Sequence, residues 1–239
     1  MKVLVLTPSK GSISLEHRDT LLHLGALLKD AGHKLSMGDD TTNGMLAHSR
    51  NVLITMLDAH KPDWGLWIDS DTSLRATAVM DMLGRSEELI VWNYPVRWPW
   101  DIQYPPERVR RAKVVRRWVG SAKLSGGLPS TSSDGRLVEL TQCGFGALLM
   151  RPSVAAALAP DNIAPLDWVG RRTIKAFDNL DEQYRFGEDY SFCKRWTRKG
   201  GRIWCDPTPY VTNGQTGGCF SDELKRTAKL AQMCRLFLT

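Results

Sequence analysis

Apolar positions along this chain follow two rhythms, one of short continuous runs and one of spaced stripes. Val3 to Thr7, Trp64 to Ile68, Leu89 to Asn93 and Phe145 to Met150 are short and nearly continuously apolar, as in strands buried on both faces of an α/β sheet. Between the first two runs, Leu15 to Ala31 places apolar residues at Leu15, Leu21, Leu22, Leu28 and Ala31, which predicts a helix ended by Gly32. Lys34 to Met37 reads as a short strand. Asn43 then caps a predicted helix from Met45 to His60, with Met45, Ser49, Val52, Leu53, Met56 and Leu57 on its apolar face and Pro62 beyond its end. Strand, helix, strand, helix, strand is the doubly wound pattern of nucleotide-binding sheets.

Further along, Ala76 to Leu83 predicts a helix. Tyr94 to Asp101 is aromatic and proline-rich, an irregular loop, and Ser125 to Gly135 is rich in Gly, Ser and Thr, a flexible loop, lid or hairpin connection. Leu137 to Leu140 predicts a strand, followed after Cys143-Gly144 by the run from Phe145; Pro152 to Leu158 predicts a short helix. Ala159 to Asp181 shows no period. Gly187-Glu188-Asp189 opens a helix to Arg198, closed by Gly200-Gly201. Arg202 to Cys205 is a strand, Tyr210 to Gly218 a loop, and Ser221 caps a final amphipathic helix. The chain is expected to form a single α/β domain, its first hundred residues or so binding a nucleotide and the rest an acceptor.

The third strand ends in Asp69-Ser70-Asp71. Side chains at i and i+2 of an extended segment point the same way, so both carboxylates can face the crevice outside the strand's carboxyl end. Close carboxylates repel and favour a divalent cation, and oxygen ligands suit Mg²⁺ or Mn²⁺ shared with substrate phosphates. The same tripeptide is also a good turn or helix cap. Glu188-Asp189 likewise serves a helix N-terminus on dipole grounds alone, and Arg50 is equally at home as a solvated helix residue or an ion-pair partner.

Composition narrows the classes. At 239 residues and 42% hydrophobic there is material for a sizeable core. No apolar run reaches the roughly 18 residues of a membrane span, and the apolar start is too short for a signal peptide. The five cysteines form no Cys-x-x-Cys pair, so reduced thiols in a cytoplasmic protein are expected. A net charge of +6 points to an anionic partner. The basic residues Arg110, Arg111, Arg116 and Arg117, with Trp98, Trp100 and Trp118 interleaved, suit phosphates and stacked bases or sugar rings, or simply a solvated helix face and core tryptophans.

Taken in order, Arg50-Asn51, Asp69-Ser70-Asp71, Gly144-Phe145-Gly146 through Arg151, Gly187-Glu188-Asp189 and Trp204-Cys205-Asp206 resemble the GT-A fold glycosyltransferases, especially small bacterial and viral members related to family 2. The resemblance implies a GT-A-like, Rossmann-like mixed sheet flanked by helices. It implies a nucleotide sugar, UDP-linked, as cosubstrate, with Mn²⁺ or Mg²⁺. Thr7, Pro8, Ser9, Arg50, Asp69 and Ser70 would line the nucleotide; Asp71 and Asp69 would hold the metal. Asp189, with Glu188, would supply the base of an inverting transfer, and Gly144 and Phe145 would join the basic and tryptophan residues on the acceptor side. The late metal-ligating histidine of many members is missing; Asn213, Thr212 or water would supply an oxygen in its place, or the enzyme would work without metal. The acceptor is expected to be a polyanion, with DNA bearing a hydroxylated base first and a glycan or lipid-linked saccharide second. A nucleotidyltransferase and a non-catalytic nucleic-acid-binding protein are the competing readings. Thr7 to Gly11 is a poor triphosphate loop for the former, and two acidic motifs are surplus to the latter.

Overall fold

A computed structural model describes residues 1–9, 11–40, 46–93, 120–125, 128–163, 172–178, 187–208 and 211–213. The elements run β1 (Lys2–Pro8), α1 (Leu15–Asp30), β2 (Lys34–Asp40), α2 (Leu46–His60), β3 (Trp64–Ile68), β4 (Thr72–Leu74), α3 (Ala76–Met82) and β5 (Leu89–Trp92). They continue with β6 (Gly120–Ala122), β7 (Leu124–Ser125), β8 (Leu128–Pro129), β9 (Val138–Cys143), β10 (Ala147–Met150), α4 (Pro152–Asn162), α5 (Glu188–Arg198), β11 (Ile203–Asp206) and β12 (Val211–Asn213). The aromatic stretch from Tyr94, the basic run to Val119, the Asn43 cap and the terminal helix lie outside the described residues.

Among the described residues, eight strands form one mixed sheet in the order β2-β1-β3-β10-β5-β11-β9-β6. β1 lies parallel to both β2 and β3, as the repeating strand–helix pattern requires. β10 then inserts antiparallel between β3 and β5, pairing Ala147 with Ile68 and Leu148 with Val91. That insertion departs from a purely parallel sheet, because β10 follows β9 after a short link and keeps its direction, which is antiparallel to β11 and β5.

Side-chain alternation divides the core in two. Val3 and Val5 of β1 join Trp64, Leu66 and Ile68 of β3 on the face covered by α1 and α3. Leu4, Leu6 and Trp67 face the other way, against Leu53, Ile54 and Leu57 of α2 and Phe192 and Trp196 of α5. All five residues of β3 are buried, and each large apolar side chain so enclosed contributes about 1.5–3 kcal/mol. At Gly65 a Cβ would come within 2.7 Å of Leu57 Cδ1, so the absence of a side chain lets α2 settle on the sheet.

Several predicted features are corrected. The buried face of α1 is His17, Thr20, Leu21, Leu24 and Leu28, while Leu15 and Leu22 are each 65% exposed. The helix is turned toward the chain between β3 and α3, whose backbone groups call for polar partners. In α2, Arg50 and Asn51 point inward with Leu53, Ile54 and Leu57, while Val52 and Met56 are only half-buried. β2 runs on to Asp40, and α4 runs on to Asn162 across Pro160. The Gly/Ser/Thr-rich stretch from Ser125 takes the hairpin form among its expected readings: β7 and β8 pair, Thr131 bridges Val138, and Asp134 takes both Nη atoms of Arg85 at 2.8 and 3.1 Å. The predicted Tyr210–Gly218 loop contains β12, which pairs antiparallel with β4 and sets Asn213 opposite Thr72. In keeping with the expected reduced thiols, Cys143 and Cys193 form no disulfide, and their Sγ atoms share a hydrogen bond at 3.8 Å in the core.

Candidate active site

β1 and β3 are parallel neighbours, so the chain leaves both at the same sheet edge. After β1, Ser9 folds the chain back on itself: its hydroxyl donates to the Ser12 carbonyl at 3.1 Å and accepts from the Gly11 amide at 3.0 Å. Gly11 has φ +93°, the left-handed region that glycine enters without steric penalty. Thr7 and Ser9 are buried.

After β3 the acidic tripeptide turns instead of continuing the strand. The Asp69 amide donates to Gly146 of the β10 approach at 3.0 Å, and the Thr72 amide donates back to the Asp69 carbonyl at 2.9 Å. The turn reading of Asp-Ser-Asp thus holds locally, while the two carboxylates stay coupled. Both are half-buried, and the charge on Asp71 helps raise the pKa of Asp69. Burial is the larger cause of that rise, and Arg50 opposes it.

Arg50 is the hub. It projects from α2 with its side chain 2% exposed, into a place where a bare guanidinium would be very costly. Three carboxylates meet it: Nη2 lies 3.4 Å from Asp69, Nη1 lies 3.0 Å from Glu188, and Nη1 also bonds Asp189 directly. Phe145 and Phe177 pack on the guanidinium, each ring centroid 5.9 Å away. One buried cation therefore joins the turn after β3 to the first turn of α5. Arg50→Lys keeps the charge but loses the fork that spans both sides. We expect it to lower unfolding free energy by about 1–3 kcal/mol, read as an earlier urea midpoint at unchanged slope.

Asp189 sits at the start of α5, where the helix dipole favours an acid. Its other oxygen accepts the Phe145 amide at 3.2 Å. Burial nevertheless dominates and pushes its pKa up to about 7, against the opposing pull of Arg50 and with help from Glu188 and Asp69. A carboxyl poised near neutrality, held from two sides and still 22% exposed, has the properties of a general base. Phe145, expected on the acceptor side, is fully buried within a cluster with Phe177 and Phe192; it presents its backbone N–H to the site. Gly144 is half-buried beside it.

A divalent ion is chemically compatible with this rim. Asp69 and Asp71 offer hard carboxylate oxygens that are partly open to solvent, and an ion there would take further ligands from phosphate and water. Among the described residues no group of three His, Cys, Asp or Glu side chains forms a metal cage. The backbone of Asn213 reaches the neighbourhood through β12, opposite Thr72. Trp98, Trp100, Arg110, Arg111, Arg116, Arg117 and Trp118 lie outside the described residues.

One residue escaped the sequence reading. His17 is completely buried beneath the acidic turn, its Nδ1 3.1 Å from the Asp69 carbonyl and 3.3 Å from that of Thr72. Its Nε2 is 3.5 Å from the Thr7 hydroxyl. On the same side of α1, the Ser14 amide donates to the Ser70 carbonyl at 2.8 Å and the Thr20 hydroxyl accepts the Leu74 amide at 3.1 Å. The available signal was Ser14, His17 and Thr20 at helical spacing, polar residues standing where a stripe of leucines was sought.

No protein-family model matches this sequence, and no curated protein does. In shape the chain is similar to A197 from STIV, at TM-score 0.47 and 14% identity over 88% of this chain and 83% of that one. It is also similar to a glycosyltransferase involved in the glycosylation of the major capsid of PBCV-1, at TM-score 0.47 and 10% identity over 96% and 100%. A third likeness is to S. aureus TarS 1–349 in complex with UDP, at TM-score 0.45 and 14% identity over 89% and 60%. These are likenesses of general layout, and the chemistry of the site itself has to carry the function.

Proposed function

We propose that this chain transfers a glycosyl group from a nucleoside-diphosphate sugar, UDP-linked, to an acceptor hydroxyl with inversion. The observation that carries the reading is the buried Arg50, which holds Asp69 on the donor side and Asp189 on the other in one ion-pair network. The reacting atoms need to stand about 3–3.5 Å apart with the base a hydrogen bond beyond the acceptor oxygen, and such a network is a means to fix that spacing.

In this reading the loop after β1 and the turn at Asp69-Ser70 receive the nucleotide and diphosphate. Asp71, with Asp69, would hold Mg²⁺ or Mn²⁺, which when bound supplies Lewis-acid stabilisation of the departing diphosphate. Asp189 accepts the acceptor's hydroxyl proton as its oxygen bonds to the anomeric carbon and the bond from that carbon to the diphosphate oxygen breaks. Arg50 and the Phe145 amide aim the Asp189 carboxylate. Glu188, on the same guanidinium nitrogen, keeps Arg50 from neutralising Asp189 alone.

The acceptor we favour is duplex DNA bearing a hydroxymethylated pyrimidine, on the strength of the basic run from Arg108 to Lys123 and the net charge of +6. Within that run Lys123 is described, and it pairs with Glu139 at 2.8 Å.

Incubation with a panel of nucleotide sugars and Mn²⁺ tests the reaction class. Release of free UDP from a UDP-sugar supports glycosyl transfer; pyrophosphate release from a nucleoside triphosphate and a sugar phosphate would replace it with nucleotidyl transfer. Sugar transfer to hydroxymethylated DNA that declines steeply with salt is the expected acceptor result. Transfer to a simple saccharide with no DNA binding at low salt would remove DNA.

A further inference from the structure

We infer that His17 is a positioning residue for the donor side, fixing the turn from which Asp69 and Asp71 project; the inference rests on the glycosyl-transfer reading for what those carboxylates do. Carbonyl oxygens only accept hydrogen bonds, so the nitrogen that lies 3.1 Å from the Asp69 carbonyl and 3.3 Å from that of Thr72 must carry a proton. That assigns Nδ1–H to a shared bond spanning the two ends of the turn. Nε2 is left to accept the Thr7 hydroxyl, which connects the turn to the end of β1.

The placement is costly unless it has a use. His17 is fully buried on a helix whose other inward positions include Leu21, Leu24 and Leu28. A leucine at 17 would bury more apolar surface, yet it would take the side-chain donor away from the Thr72 carbonyl and from the Asp69 carbonyl, which would keep only the Thr72 amide. The carbonyl of Asp69 and its Cα are adjacent atoms, so holding the former limits the direction of the side chain. Holding Thr72 does the same for the far end of the turn, one residue beyond Asp71. Ser14 and Thr20 secure Ser70 and Leu74 on either side, so α1 grips the turn at several successive backbone groups. Groups that orient a ligand residue commonly affect metal affinity by about 10–100-fold when lost.

The test compares full-length His17→Leu, His17→Asn and His17→Ala with wild type and Asp71→Asn. Asparagine places an N–H near the position of Nδ1; leucine and alanine do not. Binding of Mn²⁺ with UDP is followed by loss of the free-ion EPR signal, and amide hydrogen exchange is followed across residues 69–74. His17→Leu is expected to weaken Mn²⁺·UDP binding about 10–100-fold and to speed exchange in the turn, with His17→Asn recovering most of both. Should His17→Leu not fold, the same difference must separate His17→Asn from His17→Ala. Wild-type-like binding and exchange in His17→Leu, with binding lost in Asp71→Asn, would overturn the positioning role and leave the donor site standing. Failure of the wild type to bind Mn²⁺·UDP would overturn the donor reading, and the inference with it.

Discussion

Asp71→Asn is expected to remove metal-dependent turnover while the protein folds as before. The substitution keeps shape and polarity and deletes one negative charge at the rim. A neutral amide is a much poorer ligand for a hard divalent ion, and the transition state gathers charge on the diphosphate oxygens where that ion would act. Losing several kcal/mol there corresponds to roughly a hundredfold to ten-thousandfold in rate, since each 1.36 kcal/mol is about tenfold. Stability should move little, because the side chain is half-buried and its hydrogen bond from the Thr72 hydroxyl is long, at 3.4 Å. Steady-state kinetics at saturating donor, beside a thermal melt, measures both. Near-normal turnover would remove Asp71 from the metal assignment.

Asp189→Asn is expected to retain donor binding and lose transfer by about 10²–10⁴-fold, the usual range for a general base. Calorimetry with UDP separates the two effects. If donor affinity falls together with activity, Asp189 is a donor contact or a structural strut. The pH profile adds a signature. With the carboxyl pushed up to about 7, the working base form disappears as pH falls through neutrality. For wild type kcat/KM should therefore lose about tenfold per pH unit below 7 and level off above it. Stability runs in the opposite sense. The native protein holds this proton up to about 7, whereas the unfolded chain releases it near 3.8. Between those values the native state binds more protons, so unfolding free energy falls as pH rises. Asp189→Asn should flatten that slope across pH 4–7, a urea-titration result independent of catalysis.

Legibility in the sequence followed the range of the interactions involved. β3 and its acidic end were readable because five buried residues in a row leave little alternative to a central strand. The start of α5 was readable because Gly187-Glu188-Asp189 combines a breaker with first-turn acids. What Asp189 faces was not readable. The meeting of Arg50, Asp69 and Glu188-Asp189 spans more than a hundred residues, and only the sheet order brings it about. The rotation of α1 was missed for a related reason. Leu15 and Leu22 look like core positions by period, but the turn beneath the helix needs donors and acceptors, so His17 and Thr20 take the inward places. β12 was hidden because Val211–Asn213 is too short to show a rhythm and owes its extension to pairing with β4.

The position of β10 bears on how this gene can be cut. The strand comes from the second half of the chain but lies in the middle of the first half's sheet, with β3 on one flank and β5 on the other. A fragment ending near residue 100 would expose the inner edge of β3, Trp64 to Ile68, with no partner for its backbone and a strong tendency to recruit one from another molecule. The complementary fragment would carry β10 without either of its neighbours, β3 and β5, and β11 with β9 but without β5. Strands from the early and late parts of the chain are thus interleaved in one sheet. Expression of either alone should give inclusion bodies, and any split design for this chain has to keep Ala147–Met150 in the same folding event as Trp64–Ile68.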